Sequence, residues 1–168
     1  TLNPTELLTS PDWEFKTPDY CSKSVIIDRK ILFSQPDGQL KAEHIPRVNK
    51  IHNAIKQQAE FDYIVVDASK ISRFSRKSRH LFMKYVLNWH RERPFRMYVL
   101  FGANPLVSTA VKMARPFMPF TITVADDINQ AFEMIRQDQK KTIEAPEKDD
   151  EQQQGLIQRY VDDLLLFI

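Results

Sequence analysis

From Ser22 onward the apolar residues come in short groups, and their spacing alternates between two periods. Val25-Ile26-Ile27 and Lys30-Ile31-Leu32-Phe33-Ser34 have the texture of strands, with Asp28-Arg29 as the turn between them. Pro36-Asp37-Gly38 carries a second turn signal. Ile45, Val48, Ile51, Ile55 and Ala59 then recur at three and four residues, the period of a helix with one buried face. Tyr63-Ile64-Val65-Val66 is nearly all apolar, as expected of a central strand covered on both faces. Leu81, Phe82, Tyr85, Val86 and Trp89 mark a second helix. Pro94 ends it, because the residue before a proline is pushed out of helical geometry.

Met97-Tyr98-Val99-Leu100-Phe101 reads as another central strand. A third helix opens at Gly102-Ala103-Asn104-Pro105, with Asn104 as N-cap and Pro105 at the first helical position. Pro116 and Pro119 close it. Thr121-Ile122-Thr123-Val124 forms the last strand, and Ala131, Phe132 and Ile135 are the inner face of a fourth helix capped by Asp126 or Asp127. The order β-β-α-β-α-β-α-β-α predicts an α/β fold: a mixed, mostly parallel sheet with helices packed on it.

The same pattern divides the chain. Residues 1–21 hold Pro4, Pro11 and Pro18 among polar residues and read as an arm, with Trp13 and Phe15 available to pin it. Residues 22–137 form the domain. Residues 138–154 are rich in Lys, Glu, Asp and Gln without a core pattern and read as a polar linker. In residues 155–168, Ile157, Val161, Leu164 and Ile168 trace a heptad seam. It is expected to start a connecting helix to a downstream module, or a homodimer contact. The first residue, Thr1, and the apolar ending at residues 164–168 suggest a piece of a longer protein.

At 168 residues the chain fits one domain with tails. A net charge of +2 says little about partners, but its distribution says more. Between Lys70 and Arg96 the basic residues Arg73, Arg76, Lys77, Arg79, Lys84, Arg91 and Arg93 are opposed only by Glu92. Such a stripe reads first as a solvated helix face, and otherwise as a surface that steers an acidic partner, holds phosphate groups or sits on an anionic membrane. The acidic residues Glu144, Glu147, Asp149, Asp150 and Glu151 are one such partner within the chain. Nucleic acid is not favoured, because aromatics are not interleaved with these charges. The single cysteine, Cys21, excludes an intramolecular disulfide and fits a reducing, cytoplasmic setting. No apolar run approaches the ~20 residues of a membrane span.

Gly38-Gln39-Leu40, Val65-Val66-Asp67-Ala68-Ser69, Val99-Leu100-Phe101-Gly102 and Ile122-Thr123-Val124-Ala125-Asp126-Asp127, followed by Ala131-Phe132, stand in an order and at spacings that carry a resemblance. Over residues 22–137 the chain resembles the STAS domain, found in bacterial anti-sigma-factor antagonists and in the cytoplasmic part of sulfate transporters. The resemblance implies a non-enzymatic protein switch. In antagonist members a partner kinase phosphorylates the serine of an Asp-Ser pair just before the second helix. The corresponding place here holds Ser75-Arg76, so the acid has become Ser75 and the acceptor Arg76. Ser75 and Ser78 are therefore the candidate phosphoacceptors.

Those residues lie in the stretch DASKISRFSRKSRH, residues 67–80. Ser75 is placed as the N-cap of the second helix, and helix starts favour anions. A phosphate there would have Arg73, Arg76, Lys77 and Arg79 within reach, which makes them the candidate docking or anion-binding residues. Phe74, just before the cap, is expected to pack inward as a staple. Asp67, Ser69, Gly102 and Asn104 sit at the C-terminal ends of two parallel strands, the edge where α/β sheets take ligands. Enzymatic chemistry has weak support: the three glycines form no phosphate loop, and no nucleophile elbow, HExxH or CxxC pattern occurs. The four histidines lack metal-ligand spacing, so neither metal nor cofactor is expected. The leading expectation is a regulatory protein–protein interaction domain of bacterial signal transduction. Its partner would be a kinase, an anti-sigma-like factor or an output module. A small-anion or nucleotide sensor is the alternative, and a small α/β enzyme the third.

Overall fold

The computed structural model describes residues 6–144. The start of the arm, the linker from residue 145, the heptad seam and the dimer contact expected of it lie outside the described residues. Strands β3 (Tyr20–Ile27) and β4 (Ile31–Gln39) form an antiparallel hairpin. Its turn is at Asp28 and Arg29, both with positive φ (51° and 55°). The primed geometry matches the twist of the strands. The arm supports this turn: the Glu6 amide donates to the Asp28 carboxylate (2.9 Å) and Arg29 Nε donates to the Glu6 carboxylate (3.1 Å).

The pattern and the fold differ at Pro36-Asp37-Gly38, which is strand rather than turn. β4 continues through it, with Ser22 opposite Pro36, Cys21 opposite Asp37 and Tyr20 opposite Gly38. Pro36 falls in the gap where β4 changes its parallel neighbour. Gly38 is needed there: its φ is 106°, and a Cβ would stand 2.2 Å from the Asp19 carbonyl oxygen.

From β4 onward the sheet is parallel. β5 (Tyr63–Asp67) lies beside β4, then β7 (Met97–Phe101), then β8 (Thr121–Ala125). Val65, paired with both Phe33 and Val99, sits at its centre and is fully buried. Three further short strands bring the described sheet to eight. β1 (Leu7–Leu8) and β2 (Phe15–Lys16) pair with β3, so this part of the arm belongs to the sheet. β6 (Ile71–Arg73) pairs with the end of β4. It exists because β4 outruns β5 and leaves an open edge, and three residues are too few for alternation to reveal.

Helices α1 (Ile45–Gln58), α2 (Arg76–Glu92) and α3 (Pro105–Ala114) cover one face of the sheet. There Ile55, Val86, Trp89 and Val111 pack on Ile26, Leu32, Ile64, Tyr98 and Ile122. Helix α4 (Ile128–Glu144) covers the other face, with Ala131 and Ile135 against Val65 and Val99. It does not end at Gln137, where the polar texture begins. Asp138, read from the sequence as linker, accepts hydrogen bonds from Tyr63 Oη (2.7 Å) and Arg96 Nε (2.8 Å). A charged residue that caps the sheet edge looks the same in sequence as a solvated one.

Candidate functional site

The C-terminal edge of the sheet gathers the segments that the sequence singled out. Asp67, at the end of β5, accepts from the Ser69 amide (3.0 Å) and the Ser69 hydroxyl (2.6 Å). This is a turn-closing carboxylate. Gly102, at the end of β7, has φ 69°, and a Cβ there would meet Ser69 Cβ at 2.8 Å. The 67–69 turn and Gly102 thus pack against each other and leave no ligand space between them. Of the four residues expected at that edge, Asn104 lines a cleft formed by the described residues.

That site is a cleft of about 560 Å³ between the end of β4, the β6–α2 connection and the start of α3. Arg73, Ser75, Ser78, Arg79 and Asn104 line it, brought together from two segments about thirty residues apart in sequence. Ser75 is the N-cap of α2; its Oγ accepts from the Ser78 amide (3.2 Å) and lies 2.8 Å from Ser78 Oγ. Ser75 is exposed, whereas Ser78 is 1 % exposed. Of these two serines, Ser75 is the one open in this conformation to an enzyme acting from solution.

Arg79 Nη1 donates to the Phe74 carbonyl (3.2 Å), and its Nε is buried without a hydrogen-bond acceptor among the described residues. Asn104 caps α3 by accepting from the Val107 amide (2.9 Å), with Pro105 next. Two helix N-termini, each with partial positive charge, therefore open on the same cleft. Phe74 is half-buried against Phe82 (ring centroids 5.8 Å apart), so it packs as a staple, though one turn later than the usual partner. Arg76 and Lys77 are exposed on the first turn of α2 and do not line the cleft.

The sequence missed Lys41 and Leu106. Lys41 lines the cleft from the β4 end and pairs with Asp19 (2.9 Å). Leu106 stands at the cleft, 64 % exposed. No local signal marks either, because the wall exists only after the loops meet. No carboxylate, histidine or cysteine lines the cleft. Its charged lining residues are the cations Lys41, Arg73 and Arg79.

At the cleft, the hydrogen bond to Asp19 raises the Lys41 pKa; other perturbed groups lie elsewhere. Burial beside Trp89, whose ring stacks on His52 at 3.8 Å, pushes the His52 pKa down to about 3. Burial also lowers that of His90. Burial pushes the Tyr63 phenol well above its ordinary value, and the bond to Asp138 adds to this. Burial acts to raise the Asp138 pKa, but hydrogen bonds from Arg96 and Tyr63 outweigh it and leave the carboxyl below the usual range. These groups are structural and remote from the cleft. Among the described residues no group of His, Cys, Asp and Glu is placed to hold a metal, and no helix is long and apolar enough to cross a membrane.

No family model matches the chain, and no curated protein matches it. Solved structures do. One is an uncharacterized protein from the DUF3478 family with a SpoIIAA-like fold, from Shewanella loihica PV-4. It has a TM-score of 0.51 and 15% identity, over 80% of this chain and 97% of that one. Another is the anti-sigma factor antagonist SpoIIAA in its unphosphorylated form, with a TM-score of 0.51 and 12% identity, over 68% of this chain and 96% of that one. At these identities the likeness is one of fold. The mostly parallel sheet, its four helices and these two matches agree with the fold expected from the sequence: the described chain has a STAS-like, SpoIIAA-like fold.

Proposed function

We propose that the domain is a non-enzymatic regulatory module of bacterial signalling that docks an acidic or phosphorylated surface of another protein on the cleft between α2 and α3. The observation that carries this is the composition of the cleft. Arg73, Arg79 and Lys41 line it, two helix N-termini open on it, and it holds no carboxylate. Arg76 and Lys77 extend the same charge onto the rim. The fold it shares with an anti-sigma factor antagonist supports a regulatory role. A kinase, an anti-sigma-like factor or an output module is the partner class, and the cytoplasm the setting.

Ser75 is the proposed phosphoacceptor. It is exposed, and a phosphate at an N-cap sits where the helix dipole and the nearby cations favour it. The test is co-purification of the full-length protein with its native partner, comparing the wild type with Arg73→Glu plus Lys77→Glu. Both positions are exposed, so the fold is expected to survive. Loss of the partner supports docking at the cleft, and undiminished retention overturns it. A small anion or nucleotide in the same cleft is the second reading, favoured by the unpaired Arg79 Nε. It requires a phosphate-dependent melting shift, which simple docking does not.

A further inference from the structure

The face of the sheet beneath α1 carries an anomaly. On β3 the residues facing that helix are Tyr20, Ser22, Ser24 and Ile26, and on β4 they are Leu32, Ser34 and Pro36. Ser24 lies opposite Ser34, and Ser22 opposite Pro36. The same face elsewhere holds Ile26, Leu32, Ile64, Val66 and Tyr98. Three small hydroxyl residues thus occupy adjacent positions in a face that is otherwise large and apolar. Close packing would normally fill such a gap. Here a cavity of about 90 Å³ remains under α1, bounded on its other sides by Ile51, Ile55, Phe82 and Trp89.

We propose that this cavity is a binding site for a small, neutral, compact molecule with an apolar body and one hydrogen-bonding group, of the phenol type. Three observations select that class. First, no charged side chain lines the cavity, and His52, its one titratable base, stays neutral because it is buried. An ionised ligand would therefore be desolvated without a counter-charge. Second, the three serine hydroxyls are gathered on the strand wall, opposite His52 of α1. Ser24 Oγ and Ser34 Oγ are 3.0 Å apart and share one hydrogen bond. Two hydroxyls sharing one bond still have one O–H and several lone pairs for a guest. Third, the cavity is open on one side, so a guest larger than its enclosed volume can enter with its far edge toward solvent. A dry cavity of roughly 150 Å³ admits benzene. The cavity under α1 is smaller, but Ser22, Ser24, Val48 and Ile51 are only half-buried, so it opens toward solvent between α1 and β3.

The cavity also touches the cleft. Leu40 and Phe74 line both, and Phe74 immediately precedes the Ser75 cap. A guest would brace the wall that holds the start of α2. Binding itself does not depend on any docking function and is tested apart from it.

The experiment uses the full chain, with phenol as probe and benzoate and benzene as comparisons. Melting temperature and, in a Trp13→Phe background that leaves one tryptophan, Trp89 fluorescence are the readouts. Phenol at millimolar concentration is expected to raise the melting temperature and change the Trp89 emission, with benzene weaker and benzoate inactive. Ser24→Val with Ser34→Val fills the space and removes the hydroxyls. It is expected to lower phenol affinity at least about tenfold, the equivalent of one hydrogen-bonding contact. Valine suits a strand, and should the double variant not fold, Ser24→Ala serves instead. Joined with Ser34→Ala, it removes both hydroxyls and is expected to abolish the preference for phenol over benzene. No response to phenol, an equal response to benzoate, or unchanged phenol affinity in a folded variant would overturn the proposal.

Discussion

Replacing Asp138 with alanine tests where the domain ends. Its carboxylate accepts from Tyr63 Oη at 2.7 Å and from Arg96 Nε at 2.8 Å, and so ties α4 to the N-terminal ends of β5 and β7. The Tyr63 bond goes to a charged acceptor on a mostly buried side chain and is worth about 1.5–3 kcal/mol. The Arg96 side chain is 45% exposed, so its ion pair is screened and adds at most about 0.5–1 kcal/mol. Asp138→Ala is therefore expected to cost about 2–4 kcal/mol. For a chain of this size that is a fall of about 4–16 °C in melting temperature. Tyr63→Phe removes only the first bond and should cost less than Asp138→Ala. The assay is urea denaturation followed by far-ultraviolet circular dichroism, at neutral and at acid pH. The Asp138 carboxyl titrates below its usual value in the fold, so its contribution is complete above the unfolded value near 3.8. It is lost as pH falls through the lower, folded value. A neutral-pH cost below about 0.5 kcal/mol, within the range of ordinary surface changes, would show that α4 is not held by this residue. A domain end near Gln137 would then be the better description.

Three other outcomes follow from the geometry. Ser75→Ala removes the cap of α2 and should cost about 1 kcal/mol in the same denaturation assay, while Ser75→Asp keeps most of it; equal losses would contradict the cap. His52 has a folded pKa near 3 against an ordinary 6.5, so stability should decline as pH falls from 6.5 toward 3. The slope approaches 1.4 kcal/mol per pH unit, and His52→Phe should remove that share of it, as read from denaturation midpoints across pH. Gly102→Ala forces a side chain into positive φ and against Ser69, at a cost of at least about 1–2 kcal/mol; a neutral effect on melting temperature would show that the two loops do not pack as described.

The elements with strong periodicity were legible in the sequence. The strands at Tyr63 and Met97, the Asn104-Pro105 helix start and the Ser75 cap fall where pattern and capping chemistry place them. Three features were not legible, each for its own reason. Pro36-Asp37-Gly38 has turn chemistry but lies in strand, because Tyr20, Cys21 and Ser22 pair across from it, and pairing is a non-local fact. β6 is set by the length mismatch between β4 and β5, not by its own three residues. α4 outlasts its apolar face because Asp138 finds Tyr63, 75 positions earlier in the chain.

The site divides in the same way. Arg73, Ser75, Ser78, Arg79 and Asn104 do meet at one cleft, since their neighbours in sequence fix them at one edge of the sheet. Asp67, Ser69 and Gly102 sit at that edge but close on one another, because the φ of Gly102 turns β7 into contact with the 67–69 turn. Burial set Ser78 apart from Ser75, and no sequence pattern distinguishes two serines three residues apart on a helix start.

The most direct measurement of docking at the cleft is photo-crosslinking in the protein's own cells. A photoreactive residue would be placed at Leu106, exposed on the cleft, and in a second sample at Ile128, exposed on α4. Each would be made with and without Arg73→Glu. A protein trapped from Leu106 but not Ile128, and lost with Arg73→Glu, is the expected result. Equal trapping from both positions, or trapping from Leu106 that is indifferent to Arg73, would contradict a basic docking cleft.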